Sequence, residues 1–220
     1  MITEDVGVCI TTRNRPTVLS YTLNMFRACY DGLIIVVDDN SDTKNANRDI
    51  CKHFEAIRLY NETRRGIPRS KERGFRSLLY CAYQYWFDDD CYPKHGWIDR
   101  LKEGQKHQSH LLHLKEWAHI QPKKVYEDKG LISYTGATAC MMAFDHTIYD
   151  KIYGFQNGYG IYGQWHWRLS MKLAQLDSYV ALDDSEDYFH SFDVDGVPED
   201  FKYHFQSSLP FEERKNAKKP

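Results

Sequence analysis

Residues Leu33 to Asp42, reading LIIVVDDNSD, decide the fold. The run from Leu33 to Val37 is apolar without a break, and all of it but Leu33 is β-branched. A strand with one wet face would alternate; this one fits a strand covered on both faces, as in the middle of a parallel sheet. Asp38 to Asp42 then end it with residues that hydrogen-bond their own backbone and favour turns.

Outward from this strand the same punctuation repeats. Val6 to Thr12 (VGVCITT) is a shorter apolar run closed by Arg13-Asn14-Arg15-Pro16. Pro16 suits the mouth of a helix, where its fixed φ helps and its missing N–H costs nothing. Leu19, Leu23 and Phe26 follow i, i+4, i+7 spacing with Val18, Thr22 and Cys29 alongside, so one helix face is buried. A helix over 45–54 leads to a strand in AIRLYN (56–61). After Gly66 and Pro68 a helix over 70–79 presents Phe75, Leu78 and Leu79, and YCAYQYWF (80–87) reads as a fourth strand. Strand and helix in alternation predict a doubly wound α/β sheet. Such sheets collect ligands beyond the carboxyl ends of their strands, which groups residues 11–15, 38–41 and 88–90 along one edge.

The second half is less regular. A helical pattern over 96–110 gives way to a Lys- and His-rich stretch, and LISYTGATACMMAF (131–144) reads as a strand pair or one bent strand. DHTIYDKIYGF follows, then GIYGQWHWRLSMKLAQL, helical from Trp165. The expected organisation is a single domain over 1–205, with a ligand-binding half (1–95), a second half (96–205) and a polar tail (206–220).

The 220 residues are 42% hydrophobic and 27% charged, the balance of a soluble globular chain. A net charge of −2 argues against a protein that coats nucleic acid through overall positive charge, while a local basic groove stays open. Cys9, Cys29, Cys51, Cys81, Cys91 and Cys140 form no CxxC pair and no zinc spacing. They read as reduced and mostly buried, which suits a cytoplasmic protein. The acidic start MITEDVGV is unlike a secretory signal, and no window approaches the ~20 apolar residues of a membrane span.

Several groups point to chemistry. Asp88, Asp89 and Asp90 follow two large aromatic residues, and three adjacent carboxylates repel unless something cationic sits among them. At a strand end alternate side chains share a side, so Asp88 and Asp90 can address one ligand while Asp89 points elsewhere. Carboxylates with phosphate oxygens and water are what Mg²⁺ or Mn²⁺ takes; the plainer reading is a solvated acidic turn. Asp38 and Asp39 either accept from a nucleobase and a ribose or simply make a turn and cap the next helix. Lys71, with Arg64, Arg65, Arg69, Arg73 and Arg76 nearby, either neutralises a diphosphate or belongs to a charged helix face. His166, between Trp165 and Trp167, is a general base or a satisfied core histidine. His190 is a metal ligand or structural.

Taken in order, CITTRNRP, IIVVDDNSD, SKERGF, FDDDCYPKHGWIDRL, GATACMMAFDHTIYDKIYGF and YGQWHWRLSMKL resemble the family 2 glycosyltransferases of GT-A fold, over roughly Val6 to Leu176. The resemblance implies a Rossmann-like, mixed, mainly parallel sheet flanked by helices, with an acceptor-side C-terminal half. It implies an inverting transferase that uses a nucleoside-diphosphate sugar and Mn²⁺ or Mg²⁺. Thr11, Arg13 and Asp39 then fall where the family contacts the base, with Asp38 beside them. Lys71 stands where the family has an Arg near the diphosphate. Asp88 and Asp90 match the DxD motif, Asp90 ahead of Asp88 as the direct metal ligand, and the stretch around Gly136 approaches donor sugar and acceptor. Three departures follow: Thr11-Thr12-Arg13 replaces Pro-Thr-Tyr, Lys71 replaces Arg, and Trp165-His166 replaces the Glu-Asp pair that carries the general base. A neutral imidazole can do that work, so His166 is taken as the base.

The acceptor is a glycan or another hydroxyl, including a modified base in DNA; nucleic acid gains no special support from the net charge. Two other readings stand beside this one: a catalytically inactive nucleotide-sugar-binding protein on the same scaffold, and a sugar nucleotidyltransferase. The latter is disfavoured by the lack of a Gly-rich N-terminal loop.

Overall fold

The structure, a computed structural model, describes residues 4–108, 110–114, 123–134, 139–147 and 179–191. The first half alternates as its sequence pattern predicts: β1 (Glu4–Thr12), α1 (Pro16–Arg27), β2 (Leu33–Asp38), α2 (Lys44–His53), β3 (Ile57–Tyr60), α3 (Ile67–Ser77) and β4 (Cys81–Asp88). Then come β5 (Cys91–Pro93), α4 (Trp97–Gln105), β6 (His110–Leu114), β7 (Lys124–Asp128), β8 (Leu131–Tyr134) and β9 (Ala139–Asp145). The described residues end with β10 (Tyr179–Leu182), the single turn α5 (Ser185–Tyr188) and β11 (Phe189–Ser191).

Nine strands form one sheet in the order β3-β2-β1-β4-β9-β6-β10-β8-β7. The first four strands are parallel throughout. From β1 the chain moves outward to β2 and β3, then returns to place β4 on the other side of β1. The strand order therefore reverses between β1 and β4, and the crevice at their carboxyl ends is a topological switch point. Beyond β4 the sheet becomes mixed: β9 runs antiparallel to both β4 and β6, β6 and β10 are parallel, and β8 is antiparallel to β10 and β7. β5 and β11 pair separately as a small antiparallel ribbon.

Side chains of the central strands alternate between two cores. Val8, Ile10, Val36, Tyr85 and Phe87 pack with Leu19, Leu23 and Phe26 of α1 and Trp97 of α4. Cys9, Ile35, Val37 and Trp86 pack on the opposite face with Phe75 of α3, Leu78 and Phe144. Both faces of β2 are covered, which is why its apolar run is continuous. The α3 side is close-packed: a Cβ built on Gly74 would lie 2.1 Å from the Cys9 sulfur, so only glycine lets α3 approach β1 there.

Three expectations need correction. The helix of the second half stops at Gln105, not His110. His110 to His113 are all buried in β6 between β9 and β10, and the sheet's hydrogen bonds and burial override the helical pattern. β7 was not anticipated; it is an edge strand exposed along its whole length, so it carries no hydrophobic alternation. α3 begins at Ile67, with Pro68 in its first turn, and ends at Ser77, leaving Leu79 40% exposed rather than on the buried face. The six cysteines are free thiols, with all but Cys29 buried. Among the described residues no helix is long and apolar enough to cross a membrane.

Candidate functional site

The acidic triplet sits at the switch point. Asp88 closes β4 in register with Thr11 of β1, and Asp89 and Asp90 form the turn that follows. Their repulsion is met by side chains of the protein itself. Lys71 of α3, its side chain only 2% exposed, places Nζ 2.8 Å from Asp88 Oδ1. Arg15, just before α1, donates from Nη1 to Asp89 Oδ1 at 2.7 Å and from Nη2 to Asp90 Oδ2 at 3.1 Å.

Asp89 faces inward, as the alternation predicts. Its Oδ2 accepts from the Thr12 hydroxyl at 2.6 Å, and its carbonyl accepts from the Thr22 hydroxyl at 2.6 Å. Burial raises the Asp89 carboxyl to about 6, an effect that Arg15 and the Thr12 hydrogen bond limit and the charge of Asp90 increases. The guanidinium of Arg15 is half-buried, which opposes its charge, but the carboxylates of Asp89 and Asp90 outweigh this and hold its proton more firmly than usual. The Asp88 and Asp90 side chains keep 32% and 13% of their exposure, against 5% for Asp89. The outer two carboxylates thus line the crevice, while the middle one is an anchor that joins β1, α1 and the turn. Oxygen donors of this kind fit a hard divalent cation, so Asp88 and Asp90 are the groups here that could hold one.

Arg15 falls within the ligand-side edge expected from the sequence, at 11–15, though no residue pattern there assigns it a role. Its position at the mouth of α1, on the edge shared with three carboxylates, was the signal.

Asp38 and Asp39 lie at the end of β2. Asp38 is fully buried. Its Oδ1 accepts from the Ser41 backbone N–H at 3.0 Å, and its Oδ2 accepts from Asn47 Nδ2 at 3.0 Å and Arg58 Nη2 at 2.7 Å. It therefore does the turn-forming work that was its alternative reading, tying β2 to β3 and α2. Asp39 accepts from Asn61 Nδ2 at 2.9 Å and from the backbone N–H groups of Arg65 at 2.7 Å and Gly66 at 2.8 Å. That fixes the loop leading into α3, where Gly66 takes a φ of 83°.

Thr11 and Arg13 are half-buried at the end of β1 and just beyond it, and Arg13 Nε is enclosed without a hydrogen-bond partner. In the basic segment, Arg73 donates to the Tyr60 carbonyl at 2.6 Å and to Asn61 Oδ1 at 2.7 Å, and Arg76 pairs with Glu72 on the helix surface. These two follow the plainer reading of a helix holding itself and its neighbours together.

His190 is an exposed residue of β11, opposite Tyr92 of β5, with the two rings 5.2 Å apart. Tyr92 is two residues beyond Asp90, so His190 stands on the strand beside the end of the triplet. Partial burial, then Lys94 and His113, lower its pKa. His166 and Gly136 lie outside the described residues.

Residues 7–152, well over half of the chain, match the sequence model of Glycosyl transferase family 2. The chain belongs to glycosyl transferase family 2. Solved structures agree with this family assignment in fold. The chain is similar to GalNAc-T7, crystallised with UDP, GalNAc and Mn²⁺, at 12% identity and a TM-score of 0.68, covering 82% of this chain and 42% of that one. It is similar to TarS of S. aureus at 12% identity and a TM-score of 0.62, covering 96% of this chain and 41% of that one. Residues 1–349 of TarS in complex with UDP give 13% identity and a TM-score of 0.63, covering 92% of this chain and 63% of that one. The family 2 chain described here thus spans less than half the length of GalNAc-T7 and of full TarS. No curated protein matches it in sequence.

Proposed function

We propose that this family 2 chain transfers a sugar from a nucleoside-diphosphate sugar to an acceptor hydroxyl, by a single displacement that inverts the anomeric carbon. The observation that carries the reading is the pair Asp88 and Asp90, partly exposed at the β1/β4 switch point and each held by a cationic side chain. Mn²⁺ and UDP in the related crystal structures support Mn²⁺ or Mg²⁺ and a nucleoside diphosphate as the ligands.

Asp88 and Asp90 would hold the divalent ion; His190, exposed on β11, is not gathered with them into a ligand group among the described residues. When bound, such an ion supplies positive charge for the diphosphate and for the charge that develops on it as it leaves. Lys71 holds Asp88 in place and adds its own charge beside the phosphates. Its point charge replaces the forked contacts an Arg would make. Arg15 yields or shares Asp90, so metal affinity reflects a competition with an internal ion pair. Thr11, Arg13 and Asp39 border the base; the unpartnered Nε of Arg13 is a donor available to it, and Asp38 shapes the turn that carries Asp39. His166 takes the proton of the attacking hydroxyl, and transfer then shows a pH limb near neutrality, falling as the imidazole protonates. The acceptor is a glycan or another hydroxyl compound.

Calorimetric titration with a panel of nucleoside diphosphates and their sugars tests this, with Mn²⁺ and with chelator, on the wild type and Asp90→Ala. Metal-dependent binding of one nucleotide that vanishes in the variant is the expected result. Absence of binding to every member would leave a family 2 scaffold without donor chemistry. Binding with no turnover would point to a catalytically inactive nucleotide-sugar-binding protein on the same scaffold.

A further inference from the structure

We infer that Cys91, His113 and Cys140 form a buried site for one zinc ion, separate from the carboxylates of Asp88 and Asp90. The three residues come from β5, β6 and β9, and the ligand atoms they offer all lie within 4.8 Å of one another. In a tetrahedral zinc shell, with Zn–S of about 2.3 Å and Zn–N of about 2.0 Å, ligand atoms sit about 3.4–3.8 Å apart. The three ligand atoms are therefore within roughly 1 Å of the spacing such a shell requires, a gap that side-chain rotation can close.

His113 supplies the independent observation. It is 3% exposed, and neither Nδ1 nor Nε2 has a hydrogen-bond partner. The imidazole's polar neighbour is the Cys140 thiol, a weak hydrogen-bonding group, so most of its desolvation penalty goes without offset, and such groups call for an explanation. Coordination supplies one, because a neutral imidazole gives a lone pair to a metal at one nitrogen.

The backbone places the thiols to match. Along β6 and β9, His113 pairs with Met141 but Leu114 pairs with Ala139, so Cys140 is the extra residue of a β-bulge. Bulges re-aim a side chain, and here the Cys140 sulfur lies 3.6 Å from the His113 carbonyl oxygen. Cys91 opens the ribbon strand directly after Asp90 and is fully buried.

The chemistry selects the metal. Two sulfur ligands and an imidazole suit a soft or borderline ion and are poor partners for Mg²⁺ or Mn²⁺. Binding releases the two thiol protons. Zn²⁺, two thiolates and a neutral imidazole sum to zero charge, which a buried site tolerates; Cu⁺ would leave one negative charge without compensation. The three ligands leave the fourth tetrahedral position to water. The carboxylates of the triplet are not needed, since Arg15 and Lys71 already engage them. The ion would pin β5 to the β6/β9 pair and so fix the turn that carries Asp90.

The test uses the full chain, purified without chelator and desalted into metal-free buffer. Elemental analysis should find one zinc per chain, released when a mercurial reagent blocks the thiols. Replacement by Co²⁺ should give the intense near-ultraviolet band of a thiolate ligand, which an ion held by carboxylates cannot produce. Cys140→Ser, close to the cysteine in size, should keep the wild-type circular dichroism spectrum yet lose the zinc and most of the band; His113→Ala should lose the zinc as well. Asp90→Ala should retain both. A folded wild-type chain that carries no zinc and gives no band with Co²⁺ overturns the proposal. So does retention of zinc by Cys140→Ser, or recovery of Cys91 and Cys140 as a disulfide.

Discussion

The acidic triplet and the thiol–imidazole cluster are adjacent in sequence, Asp90 followed by Cys91, yet they treat buried polarity in opposite ways. The triplet concentrates negative charge and compensates it from within, through Arg15 and Lys71. The cluster leaves an imidazole with both nitrogens unsatisfied. A site balanced by the protein's own cations can fold empty and bind a metal in exchange for ion pairs. A site with unsatisfied ligand atoms gains from a metal directly, because coordination removes a penalty instead of replacing a contact.

The largest effect expected on the balanced side is that of Arg15→Met. It leaves the buried Asp89 without its counter-charge, and breaking a buried pair from one side typically costs about 3–5 kcal/mol. Arg15 also restrains the rise of the Asp89 pKa, so without it that pKa moves further above about 6, and the destabilisation should shrink as acid neutralises the carboxyl. Urea unfolding at two pH values, with the Arg15→Met/Asp89→Asn double variant as the compensated case, measures both. A double variant no more stable than Arg15→Met would break the comparison.

His110 sharpens the other side. This β6 residue is fully buried, its Nε2 lacks a partner, and burial lowers its pKa from 6.5 to about 4. In the unfolded chain it takes up a proton as the pH drops below about 6.5, whereas the folded chain refuses it until near 4. Stability present above the unfolded value is therefore lost as pH falls through this window, by up to about 3 kcal/mol. His110→Phe should flatten that part of the stability profile relative to wild type. An unchanged slope between pH 6.5 and 4 would show that His110 is not the group responsible.

Thr22→Val should be milder, about 1 kcal/mol, through loss of the hydroxyl bond to the Asp89 carbonyl. It should also lower the affinity for Mn²⁺ if that bond positions the turn, which a metal titration would read. Arg48→Ala is the smallest. Its pair with Asp49 is open to solvent on both sides, 62% and 67% exposed, and the unfolding midpoint should not move measurably.

The parallel half of the fold was legible because its signals are local. LIIVV could be covered on both faces only in a sheet interior, Pro16 marked a helix start, and the spacing of Leu19, Leu23 and Phe26 gave the buried face of α1. The strand-end rule then brought Thr11, Asp38, Asp39 and the triplet to one edge without coordinates. The mixed half was less legible. The helical pattern through His110 gave way to β6, and β7 is polar along its length, so their places depend on pairing partners remote in sequence.

The amino-acid sequence by itself determined the strand–helix alternation, the ligand-side edge and the likeness to family 2, because each rests on periodicity or on ordered motifs. Tertiary structure alone decided which cations neutralise which carboxylates: Arg15 lies 74 positions from Asp89, and spacing does not encode that salt bridge. It also decided that cysteines with no zinc spacing, at positions 91 and 140, meet at the imidazole of residue 113. Charge pairing and coordination act through distance in space, and for contacts between strands that distance is set by sheet order and register.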